Sequence, residues 1–132
     1  MTFEQIRLAI ESRMAAWDGV PVAYDSVPNS PALTQAMTAK SSWVRLSINH
    51  GDSSAPYKGS EPGIRRTGLV QLQIFTPLNS GSRPAADIAD SLVRHFQFYR
   101  TDGIEILTAS AQRIGPEDDY YRYNLSIPFR AG

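Results

Sequence analysis

The chain has 132 residues, 42% of them hydrophobic, and sets 13 basic against 13 acidic side chains. That length and apolar content suit one domain, residues 1–132, able to remove roughly two-thirds of its unfolded surface from water, and a net charge of +0 argues against a general nucleic-acid binder. Without Cys there is no disulfide, thiolate metal site or cysteine nucleophile. The opening Met1-Thr2-Phe3-Glu4 has no basic region followed by an apolar run, and no stretch reaches the length of a membrane span, so neither a signal peptide nor a membrane helix is expected. The positive charge comes from eleven Arg and only Lys40 and Lys58. Arginine is enriched and lysine depleted at protein interfaces, although host codon bias yields the same excess.

Residues 2–17 predict an amphipathic helix. Thr2 with Gln5 matches a capping box, and Phe3, Ile6, Ile10, Met14 and Trp17 recur on one face, with Asp18-Gly19 as its end. Residues 20–24 read as a short strand with Val22 and Tyr24 inward. Pro28 and Pro31 break residues 26–42, and the helical pattern after them is weak, so this region is expected to be a surface connection. Residues 43–49 form a second strand, Val44, Leu46 and Ile48 inward and Trp43, Arg45, Ser47 and Asn49 outward.

Residues 50–64 read as a loop containing Gly51, Gly59, Gly63, Pro56 and Pro62, too long for an ordinary hairpin. The longest clean alternation follows, Arg65-Arg-Thr-Gly-Leu-Val-Gln-Leu-Gln-Ile-Phe-Thr-Pro77. Val70, Leu72 and Ile74 point one way, Gln71 and Gln73 the other, which predicts a central strand that Pro77 ends. Residues 84–99 predict a second helix with Ala85, Ile88, Ala89, Leu92, Phe96 and Tyr99 inward, capped by Ser82 or Gly81 and closed by Gly103. Residues 104–107 and 109–114 are short strands, 115–119 an acidic turn, and 120–129 a last strand with Tyr121, Tyr123, Leu125, Ile127 and Phe129 inward. The expected class is α+β, a mainly antiparallel twisted sheet packed on one face by two helices. The outward positions Arg45, Ser47, Asn49, Gln71, Gln73, Arg122, Asn124 and Ser126 are small or polar. A solvated face is the plain reading; a face that meets another subunit through hydrogen bonds is the sharper one.

No residue set argues for catalysis. His50 and Asp52 suit metal ligation, but no further His or Cys stands nearby, and an ordinary loop histidine is the plainer reading. Glu117, Asp118 and Asp119 lack the spacing of a calcium loop. Phosphate-binding and nucleophile-elbow glycine motifs are absent from the sequence. Tyr120, Tyr121 and Tyr123 beside Arg122 resemble a base-stacking platform, yet alternation turns Tyr121 and Tyr123 to the core. Arg65-Arg66 suits phosphate or a partner's carboxylates; a solvated strand end is the default.

Several pieces in order are similar to one family: the N-terminal Met1-Thr-Phe-Glu-Gln-Ile-Arg7, Trp43-Val-Arg-Leu-Ser-Ile-Asn-His-Gly51, the strand opened by Arg65-Arg-Thr-Gly68, a helix over 86–98, and Asn124-Leu-Ser-Ile-Pro-Phe-Arg130. Over nearly its whole length the chain resembles tail terminator (tail completion) proteins of long-tailed bacteriophages of the lambda type. The resemblance implies a non-enzymatic assembly subunit with no catalytic motif, cofactor or metal. It implies a hexameric ring, or a monomer before assembly, that caps the tail tube at its head-proximal end, stops tube polymerisation and offers the surface for head joining. The implied partners are further copies of itself, the tail tube protein and a head–tail connector protein, with no membrane and no specific nucleic-acid binding. The implied place is the neck of the virion tail, after assembly in the host cytoplasm. The length of the 50–64 loop and its position against the central strand make His50, Tyr57, Lys58, Ile64, Arg65, Arg66, Gln71 and Gln73 the expected contacts to a neighbouring subunit or the tube. Another neck or connector subunit is the related alternative. A small metal-dependent hydrolase using His50, Asp52 and the acidic turn is the alternative of another class.

Overall fold

A computed structural model describes residues 1–54, 64–101 and 103–132. Thr2 caps the first helix, α1 (Phe3–Ala15): its side chain accepts from Gln5 N–H while the Gln5 amide accepts from Thr2 N–H, the expected capping box. The helix buries Ile6, Ile10 and Met14 and leaves Phe3 half exposed. It stops at Ala16 rather than at Asp18-Gly19. Gly19 does not lie among the left-handed glycines; it lies under Trp17, whose indole a Cβ there would overlap.

Strand β1 (Val22–Ala23) runs parallel to β2 (Trp43–Ser54), the one parallel pair of the described sheet. Between them the expected surface connection contains a helix, α2 (Pro31–Thr38). Ser30 caps it by accepting from Leu33 N–H, and Pro31 occupies the first turn, where its missing N–H costs nothing. The apolar stripe is weak in sequence because the helix buries only Leu33 and Ala36.

Strand β3 (Arg65–Pro77) is central as expected, pairing antiparallel with β2 on one side and with β7 (Tyr120–Ala131) on the other. His50 to Ser54, expected in the loop, belong to β2 and pair back to the start of β3 through an irregularity between His50 and Ser53. Helix α3 (Arg83–Phe96) follows a turn in which Gly81 adopts φ +79°. It ends at Phe96, three residues before the expected Tyr99; Gly103 serves instead in the turn between β4 (Arg100–Thr101) and β5 (Ile104–Ile106), at φ +87°. Strand β6 (Ser110–Glu117) completes the sheet, ordered β1-β2-β3-β7-β5-β4, with β6 on the same edge of β7 as β5.

The fold is α+β with a mostly antiparallel sheet. Helices α1 and α3 cover one face, where Val70, Leu72, Ile74, Leu125 and Ile127 are buried against Ile6, Ile10, Leu92 and Phe96. The helix ends are tied together: the Arg13 guanidinium donates from Nε and Nη2 to the His95 carbonyl at 3.0 and 2.7 Å and lies over Tyr99. Trp17 Nε1 donates to Ser91 Oγ. The opposite face carries a second, smaller core at one end. There α2 sets Leu33 and Ala36 on Trp43 and Phe75, whose rings stack at 4.0 Å, with Tyr120 edge-on. Trp43, expected outward, is outward from the main core and buried all the same.

Candidate interaction surface

Alternation along three long strands gives the face opposite α1 and α3 its composition. Register then aligns its side chains in rows. Arg45, Gln73, Asn124 and Gln112 form one row across β2, β3, β7 and β6; Ser47, Gln71, Ser126 and Ser110 form the next. Asn49 Nδ2 donates to Gln71 Oε1. Beside them Gln71, Gln73, Gln112, Asn124 and Ser126 line a cavity of about 70 Å³. Among the described residues four buried side-chain polar atoms have no hydrogen-bond partner: Trp43 Nε1, Gln73 Oε1, Arg122 Nε and Asn124 Oδ1. All four belong to outward positions of this one face. Buried polar groups normally find partners, and the small polar cavity beside Gln73 and Asn124 has room for a bridging water.

The expected contact residues fall into three places. Gln71 and Gln73 lie on this polar face. His50 and Arg66 lie on the other, around Phe3: the His50 ring meets Phe3 edge-on at 4.8 Å, and the Arg66 guanidinium covers the same ring at 4.3 Å. Arg66 also donates from Nε to the Met1 carbonyl and from Nη1 to Ser53 Oγ, which fastens the start of α1 to the sheet. Ile64 and Arg65 are exposed at the start of β3. Tyr57 and Lys58 lie outside the described residues. Sequence reasoning missed Gln112, which reaches the polar face only because β6 folds back on β7.

Arg65 opens onto a second feature absent from the sequence reading. With Arg100, Glu105 and Arg130 it lines a concavity of about 330 Å³ at the end of the sheet. Glu105 bridges Arg130 at 3.1 Å and Arg100 at 3.2 Å. The hydrogen bond from Arg130 holds the Glu105 carboxyl below its ordinary value of 4.5 against the opposing effect of burial, with the charges of Arg130 and Arg100 adding to it. A depressed carboxylate contributes stability above its unfolded value and loses it as pH falls through the folded one. Between about pH 5 and pH 3 the wild type is therefore expected to lose more urea resistance than Glu105→Gln, and equal losses would refute the ion pair's contribution.

The residues proposed for a hydrolase do not meet. His50 stands beside the Phe129 end of β7 and the acidic turn beside Tyr120, about 30 Å apart at strand rise. Glu117 pairs with Arg122, and Asp119 lies 3.5 Å from Lys40. The described residues contain no group of three His, Cys, Asp or Glu placed to hold a metal. None of their helices is long and apolar enough to cross a membrane.

A small α+β subunit with one polar sheet face and no assembled catalytic group among the described residues fits a protein that works by contact. The model of the phage tail terminator protein family matches residues 5–129, and the chain belongs to that family, whose members are structural proteins of the phage tail. Its role is in phage tail assembly, and its place is the virion tail. A solved structure 19% identical in sequence superposes over 100% of this chain and 96% of its own with a TM-score of 0.73, a likeness of fold. No curated protein matches the chain.

Proposed function

We propose that this chain caps the tail tube at its head-proximal end as a closed ring of identical copies, an assembly stop rather than a catalyst. The family match over residues 5–129 carries the reading. The partners in this reading are other copies, the tail tube protein below and a head–tail connector protein above, and assembly takes place in the host cytoplasm. A head-to-tail contact whose rotation closes gives a ring, whereas one that does not close gives a filament. A terminator matches the repeating tube on one side and does not repeat on the other. Polar contacts whose geometry must agree suit that discrimination, and the amide rows around Gln71 and Gln73 supply them. Arg65 and its neighbouring arginines offer a second contact, toward carboxylates.

Electron microscopy of particles made without this chain tests the proposal. Overlong tails are expected. Tails of normal length that fail to join heads would instead assign a joining role and overturn the stop.

A further inference from the structure

We propose that the ring closes strand to strand, the free edge of β6 in one copy pairing with the free edge of β2 in the next. This rests on the ring reading above.

Edge strands present unpaired N–H and C=O groups, and proteins usually blunt them with short strands, bulges, proline or charge. The strands at the two ends of the sheet order obey this: β1 and β4 have two residues each. Two other edges are blunted only beyond an open run of four residues. Strand β6 pairs only with β7 among the described residues, and residues 110–113 are all exposed before a bulge between Arg113 and Gly115. On its outer side β2 is covered by β1 at Val44 and Arg45 alone. Among the described residues nothing pairs with that edge over 46–49, and the strand becomes irregular after His50. The two open runs are equal in length and lie on opposite sides of the sheet.

Polarity agrees. The steps β2 to β3, β3 to β7 and β7 to β6 are all antiparallel, so β6 runs opposite to β2. Rotation about an axis along the strands preserves direction, and β6 therefore meets the next β2 antiparallel. Laying 110–113 against 46–49 in that sense sets Gln112 opposite Ser47 and Ser110 opposite Asn49, all on the polar face. Arg113 then falls opposite Leu46 on the helix side. That is where charge calls for it: a cleft of about 390 Å³ between α1 and the β2 edge carries Glu4, Glu11 and Asp25. The one arginine of the cleft, Arg7, is already paired with Glu4 and Glu11. The Arg113 guanidinium lies over Tyr121 at 5.7 Å and has no carboxylate partner among the described residues. Main-chain pairing supplies affinity in such strand addition, and the side chains supply register.

The absence of native Cys makes the test direct. Ser47→Cys and Gln112→Cys are combined in one chain and also made singly, then oxidised, both as concentrated purified protein and in assembled tails. The double variant is expected to give a ladder of disulfide-linked copies on a non-reducing gel and each single variant only monomer. Rings seen by native mass spectrometry or microscopy without cross-linking overturn the edge pairing and leave the ring. A dimer of Gln112→Cys alone overturns it in favour of β6 against β6. If no ring forms in solution or on tubes, the ring reading itself falls, and this pairing with it.

Discussion

Phe96→Ala is expected to cost roughly 3–5 kcal/mol of unfolding free energy, the range for emptying a buried phenylalanine site. Phe96 is 0% exposed and closes α3 at the point where both helices and the sheet converge. Relaxation into the void is hindered on each side. The preceding residue is held by Arg13 through the His95 carbonyl, and His95 Nε2 in turn faces the Arg13 carbonyl at 2.5 Å. Domains of this size have about 5–15 kcal/mol in total, so the loss removes a large share of stability. Urea unfolding followed by circular dichroism checks it, with an unchanged slope and a lowered midpoint. A loss below about 1 kcal/mol would show that the helix ends collapse freely into the space.

Gly68→Ala acts through the opposite mechanism, crowding instead of cavity. A Cβ at Gly68 would overlap the Asn49 carbonyl oxygen and stand 2.6 Å from Phe129 Cζ. Neither neighbour is the loose end of a flexible side chain: one is strand backbone, the other a ring that is 1% exposed and meets His50 edge-on. The glycine therefore lets the Phe129 ring lie on the sheet backbone, and overpacking there is expected to cost roughly 1–3 kcal/mol. Phe129→Leu distinguishes this account from a general glycine effect. If ring contact is the cause, the second substitution costs less in the Gly68→Ala background than alone, a coupling read from a double-mutant cycle. Additive losses would refute it.

These two positions also show what was legible in the sequence. The strands β2, β3 and β7 follow from alternation, because one buried face imposes a period of two wherever the chain is extended. Both large helices follow from their stripes and the Thr2–Gln5 box. The function of Gly68 did not, although the strand containing it stood out, because the reason lies in Phe129 on a distant strand. Helix α2 stayed hidden because it buries a small area and because Pro31 reads as a breaker in isolation and as a first-turn residue once Ser30 caps it. Gly51 and Asp52 form the irregularity of β2, where Thr67 Oγ1 donates to the Asp52 carbonyl, and the pairing of Ser53 and Ser54 with Arg66 and Arg65 carries the strand past these poor strand formers, a case of tertiary context overriding propensity. The polar face was visible as a list of outward positions. Its unpartnered atoms and the participation of Gln112 depend on the packing of β6 on β7, which no local pattern encodes.

The aligned amide rows also guard the chain against its own misfolding. A slip of β3 by one residue would turn Gln71 and Gln73 into the layer occupied by Leu92 and Phe96 and push Leu72 and Ile74 outward. Each amide stranded there costs on the order of 1–3 kcal/mol, and the lost apolar burial adds to it. Misaligned sheets are thus selected against before any copy meets another. Among the described residues two strand edges stand open, and such edges would join misaligned chains into aggregates.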